Sequence, residues 1–105
     1  MVVSPGMLSI ASHVIVLKRM LRNLRAAYAE RDDHDRALLA QERLLVLAPE
    51  DPQEHRDHGV LLDKALEPQN ALLAYQRYLK LAPDASDARE VRSTMTRLKK
   101  SLTVQ

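Results

Sequence analysis

Residues Ala37-Leu38-Leu39-Ala40, Arg43 and Leu45-Val46-Leu47-Ala48-Pro49 recur thirty-four positions later as Ala71-Leu72-Leu73-Ala74, Arg77 and Leu79-Lys80-Leu81-Ala82-Pro83. Aligned without gaps, residues 18–51 and 52–85 share ten identities in thirty-four, nine of them inside a thirteen-residue window that ends on the proline. Matches so concentrated mark two copies of one structural unit, and a period in this range is that of a stacked repeat. Within 105 residues there is room for two such units and a short remainder.

Composition says what the unit is made of. Eighteen Leu and thirteen Ala stand against ten Val plus Ile, three Tyr and no Phe or Trp, a balance that favours helix over sheet. Punctuation agrees. Ser12 is placed to N-cap a first helix running to about Arg31, with Leu17, Leu21, Leu24 and Tyr28 on one stripe. Asp32-Asp33-His34-Asp35 forms a turn leading into a second helix over roughly 35–47, which the proline at 49 ends. Asp51-Pro52-Gln53-Glu54 carries an N-cap acid, a first-turn proline and a capping-box Glu, and opens a third helix to about Leu66. A fourth starts at Pro68 and stops before Pro83, and Asp84 or Ser86 caps a fifth with Ala88, Val91, Met95, Leu98 and Leu102 on one face.

The period matches the tetratricopeptide repeat, whose pattern is a large residue, then x2-Leu-Gly-x2-Tyr, later Ala-x3-aromatic, and finally Pro. The first unit reads Leu21-x2-Leu24-Arg25-x2-Tyr28, then Ala37-x3-Gln41 and Pro49; the second reads His55-x2-His58-Gly59-x2-Leu62, then Ala71-x3-Tyr75 and Pro83. The resemblance implies an all-α, right-handed α-solenoid. Residues 1–11 are then an apolar N-terminal extension, 12–51 the first repeat, 52–85 the second and 86–105 a closing helix with a polar outside. A narrower likeness covers Arg19-Met20-Leu21-Arg22-Asn23-Leu24, Arg56-Asp57-x-Gly59 and Tyr78-Leu79-x-Leu81-Ala82-Pro83-Asp84-Ala85-x-Asp87-Ala88. These segments resemble the C-terminal half of SirB-type bacterial proteins, which join a transglutaminase-like domain to a small repeat domain. That resemblance implies that the chain is the repeat half, or a stand-alone relative of it.

Function classes narrow accordingly. With no Cys there is no disulfide, thiolate zinc site or cysteine nucleophile, which fits a cytoplasmic setting. Gly6 and Gly59 are the only glycines, so no Gly-rich phosphate loop exists, and no catalytic constellation stands out; a non-enzyme without cofactor is expected. His55 and His58 lie three apart but occupy helix-packing slots of the repeat and lack further ligands, so no metal is expected. The apolar start lacks a basic leader and is too short to span a membrane. Net charge is only +2, and Arg89, Arg92, Arg97, Lys99 and Lys100 concentrate the excess on the last helix. Without a recognition motif or interleaved aromatics, a nucleic-acid role through that helix is a weaker alternative to protein binding.

Equivalent positions on the first helix of each unit line the inner surface of such a stack: Arg19, Arg22, Asn23 and Ala26, then Gln53, Arg56, Asp57 and Val60. Arg22 and Arg56 are counterparts whose planar forks suit a carboxylate-bearing peptide in the groove. The alternative is that Arg22 pairs with Asp57 or another nearby acid and locks adjacent helices. Ala26 and Asp57 stand where a terminal-carboxylate clamp wants Asn, so that mode of binding is not expected. Two repeats are few for independent stability. The apolar N-terminal stretch is therefore expected to fold back, to pair with a second copy or to meet a partner domain.

Overall fold

The computed structural model describes residues 5–103, with side chains from residue 10 onward. Five helices run in order: α1 (Pro5–Glu30), α2 (His34–Leu47), α3 (Pro52–Lys64), α4 (Pro68–Leu81) and α5 (Ala88–Thr103). No strand occurs among the described residues, and each helix packs on the next in the chain.

The two units turn by the same device. Asp32 and Leu66, thirty-four residues apart, hold left-handed backbones, with φ of 57° and 61°. Around them Asp33 N–H donates to Tyr28 C=O and Glu67 N–H to Leu62 C=O, each at 2.9 Å, so both first helices close with the same left-handed cap. The second helices also stop alike. Ala48 and Ala82 leave helical geometry one residue before a proline, each still donating its N–H back into the helix, to Leu44 and Tyr78. The Asp33 carboxylate accepts from Arg36 N–H to start α2, and the Asp51 carboxylate accepts from Gln53 N–H to start α3.

Two boundaries differ from the sequence reading. Ser12 does not cap α1; it sits in the helix interior, because the chain enters helix at Pro5 and no breaker lies between Gly6 and Glu30. Neither Asp84 nor Ser86 immediately precedes α5. That place is taken by Asp87, whose carbonyl accepts from Val91 N–H.

The main core joins Ala37 and Leu38 of α2, Leu61 and Leu62 of α3, Ala71, Leu72, Tyr75 and Tyr78 of α4, and Val91, Met95 and Leu98 of α5. Leu21, Ala40 and Leu44 form a smaller cluster between α1 and α2. Gly59 lets α3 and α4 approach closely: a Cβ there would lie 2.7 Å from the Tyr75 ring. Outward on α5, Arg89, Arg92, Ser93, Thr96, Lys99 and Lys100 are exposed. Met1, Val2 and Val3, on which part of the expected fold-back rests, lie outside the described residues.

Candidate functional site

The first helices of the two units and the closing helix are tied side by side by ion pairs, and this ladder organises the inner face. Arg22 of α1 donates through Nε and Nη2 to Glu54 of α3, at 3.1 and 2.7 Å. Its counterpart Arg56 of α3 donates through Nε to Asp87 at the head of α5, at 2.5 Å. In both rungs a guanidinium reaches an acid at or beside the N-terminus of the next first helix, where a negative charge also meets the helix dipole. Arg97 of α5 adds a third rung to Asp63 of α3 at 2.5 Å. Thus Arg22 pairs with Glu54, while the α1 side chain that approaches Asp57 is Arg25, at 3.4 Å.

Glu54 is the centre of this arrangement and is 2% exposed. Besides Arg22 it receives Arg25 at 3.2 Å and the Gln41 amide at 3.2 Å, while Gln41 also donates to the Glu54 backbone carbonyl at 2.7 Å. Burial alone would push this carboxyl up; hydrogen bonds from Arg22 and Gln41, with the charges of Arg22 and Arg25, outweigh it and hold Glu54 below the usual carboxylate range. Its side chain is therefore not the capping-box group expected from the sequence: it faces donors from two other helices.

The repeat register explains why this junction exists. Position 25 corresponds to Gly59 and position 41 to Tyr75. In the second unit the ring of Tyr75 lies against Gly59. In the first unit both partners change together, and Arg25 donates to Gln41 Oε1 at 2.6 Å. This joint double departure from the repeat pattern is the sequence signal that points to a polar joint, with Glu54 as the acid that neutralises it.

Of the other expected inner-face residues, Arg19, Asn23 and Ala26 are exposed on α1. Gln53 donates to Asp57 at 3.1 Å, and Val60 packs half-buried against the main core. Desolvation raises the Asp57 carboxyl, against the opposing pull of Arg25 and the Gln53 hydrogen bond. At the next rung, Asp87 accepts hydrogen bonds from Tyr78 and Arg56, which hold it below its ordinary value. Asp87 and Tyr78, like Glu54, Arg25 and Gln41, are not among the inner-face residues expected from the sequence. The structure brings Gln53, Arg56 and Asp57 together with Arg25. It does not bring Arg22 and Arg56 onto one acceptor.

The two packing histidines differ. His55 is buried with Nε2 2.7 Å from the Pro49 carbonyl, whereas His58 Nε2 is enclosed with no hydrogen-bond partner and burial lowers its pKa. Among the described residues no group of three or more His, Cys, Asp or Glu is arranged to hold a metal ion, and no helix is long and apolar enough to cross a membrane.

Residues 24–96 match the family model described as tetratricopeptide repeat. The chain belongs to that family. Tetratricopeptide repeats generally mediate protein–protein interaction, and their helical-repeat fold is typically non-catalytic. The chain is also 36% identical over 88 residues to a UPF0162 protein of Xylella fastidiosa strain Temecula1, an alignment covering 84% of this chain and 31% of the relative. A UPF0162 protein of strain 9a5c is 34% identical over the same shares. The chain thus spans about a third of the length of the curated relatives it matches. No solved structure matches it significantly.

Proposed function

We propose that this tetratricopeptide chain is a non-catalytic, cytoplasmic protein-binding module whose inner face takes a segment of a partner protein. The observation that carries the reading is the ladder: ion pairs hold α1, α3 and α5 in register, giving the inner face a rigid backing. Arg19, Asn23 and Ala26 face solvent on that surface, and the half-open Arg22 leaves Nη1 for an acidic group of the partner. Gln53, Arg56, Asp57 and Val60 supply its second half. Affinity capture tests this with the chain and with Arg19→Glu and Asn23→Glu, both at exposed positions. A protein retained by the parent and lost by both variants supports the reading; equal retention overturns it.

The finer form of this proposal is that the chain acts as the repeat half of a SirB-type, two-domain protein, scaffolding a transglutaminase-like domain. Support comes from the length of the relatives, of which this chain matches 31%, leaving ample chain for a further domain. The unmatched part of such a relative, produced separately, should co-elute with this chain in size exclusion; independent elution refutes it.

A further inference from the structure

The offset of thirty-four residues that relates the two units also relates two clefts. One, of about 480 Å³, lies on α3 and α4 and has α2 as a third wall through Leu38, Glu42 and Leu45. The other, of about 200 Å³, lies on α1 and α2. Each of the seven residues lining the smaller cleft is the repeat counterpart of one lining the larger: Leu21 of His55, Leu24 of His58, Leu39 of Leu73 and Arg43 of Arg77 among them. What the smaller cleft lacks is the third wall. In the second unit the preceding antiparallel helix α2 borders this surface and His58 is half-buried; in the first, among the described residues, no such helix is present and the counterpart Leu24 is 43% exposed.

The sequence that would supply that wall is present but directed elsewhere. The counterpart of Pro52, where α3 begins, is Lys18, yet α1 begins at Pro5, thirteen residues or roughly 20 Å earlier. Val14-Ile15-Val16-Leu17 stands where the second unit has its turn, Ala48-Pro49-Glu50-Asp51. Without a proline there, the helix runs on unbroken and carries its first turns away from its own cleft. Ile10, Ile15, Val16, Leu17 and Met20 are left exposed along it, at 43–67%.

We propose that two copies of this chain associate through α1, each laying the N-terminal turns of α1 antiparallel into the α1/α2 cleft of the other. A straightened hinge between a segment and its vacant seat is the geometry of segment exchange, and the two-fold it implies makes the contact self-complementary. The seat calls for an antiparallel helix, and a two-fold across α1 supplies one. Charge permits it: residues 5–17 contain no Asp, Glu, Lys or Arg, so uncharged turns lie against the stretch holding Lys18, Arg19, Arg22 and Arg25. The area suffices as well. Ile10, Leu17, Met20 and Leu24 on the cleft side of α1, with Leu39 of α2, offer roughly 500 Å² per copy and about 1,000 Å² per pair, at the threshold for a specific interface. This contact leaves the inner face free and stands or falls separately from the function proposed above.

Sedimentation equilibrium of the full chain tests it, alongside Leu17→Glu on the overhang, Leu39→Glu on the cleft and Val46→Glu, exposed on α2 outside both clefts. The expected result is a dimer whose Kd rises at least tenfold with either of the first two and is unmoved by the third, with helical circular dichroism kept throughout. Because the chain has no Cys, Leu17→Cys also gives a clean readout, expected to form a disulfide-linked dimer on mild oxidation. A monomer at every concentration overturns the proposal. So does a dimer that survives both glutamates, or one broken by Leu17→Glu but indifferent to Leu39→Glu.

Discussion

Replacing Glu54 by Ala removes the one acid shared by α1, α2 and α3, and the structure sets the scale of the loss. Arg25, with a side chain 20% exposed, and Gln41, fully buried, lose an acceptor in place. Arg22, 43% exposed, turns to water and contributes little. Removing one member of a buried ion pair costs about 3–5 kcal/mol; the open Arg22 and the surviving bond from Gln41 to the backbone carbonyl trim this to about 2–3 kcal/mol. That is a large share of the roughly 5–15 kcal/mol that holds a small domain together, so urea unfolding resolves it. The sign of the pH effect follows from the depressed carboxyl. Its contribution is complete above the unfolded value of about 4.3 and is lost as pH falls through the lower folded value. The gap between parent and variant should therefore narrow in acid, and Glu54→Gln should lose less than Glu54→Ala at pH 7. A loss under about 1 kcal/mol at neutral pH, or a gap that is constant down to pH 3, refutes the assignment of Glu54 as the charged keystone.

Three further perturbations read other joints. Gly59→Ala sets a Cβ against the Tyr75 ring, itself 4% exposed, so the overpacking of about 1–3 kcal/mol should outweigh the helix-propensity gain of about 1 kcal/mol; an unchanged or raised urea midpoint contradicts this. Leu66→Gly relieves a left-handed backbone at a side chain 86% exposed, and should stabilise by about 0.5–1 kcal/mol while Leu66→Ala changes nothing, as thermal melts will show. His58→Leu places at 58 the residue found at its counterpart, Leu24, and removes a buried unpaired nitrogen, so it should stabilise by about 1 kcal/mol. Because burial holds His58 below its ordinary value, the unfolded chain protonates first as pH falls through about 6.5 and the parent loses stability there; the variant's stability should be flatter between pH 7 and 5.

What was legible in the sequence was what local chemistry decides. Pro49, Pro52, Pro68 and Pro83 restrict their own or the preceding residue, so the helix ends they mark fall where the repeat alignment puts them. Ser12 failed as a cap because a serine caps only where the preceding chain leaves helical geometry, and here the helix arrives from Pro5. Glu54 carried two compatible messages. Its place three residues after Asp51 is that of a capping-box acid, but the position of its carboxylate is set by Arg22, Arg25 and Gln41, thirteen to thirty-two residues away. Likewise, register identifies Arg22 and Arg56 as a pair, while the acids that hold them lie two helices along, Glu54 in α3 and Asp87 just before α5.

The two units solve one packing problem with opposite chemistry, and the difference has a direction. Between α3 and α4 the joint is a glycine under a ring, which fixes a separation and suits a surface already walled by α2 and closed by α5. Between α1 and α2 it is Arg25 on Gln41, closed by Glu54 from α3. A joint of ionised groups is demanding about angle as well as distance, since a misaligned donor in a desolvated site is left unpaired. It pins the C-terminal half of α1 to both α2 and α3, although among the described residues no helix flanks α1 on its other side. With that half clamped, the N-terminal turns of the same unbroken helix are held by it. The apolar overhang is thus presented to a second copy as a rigid element, and little ordering entropy remains to oppose docking.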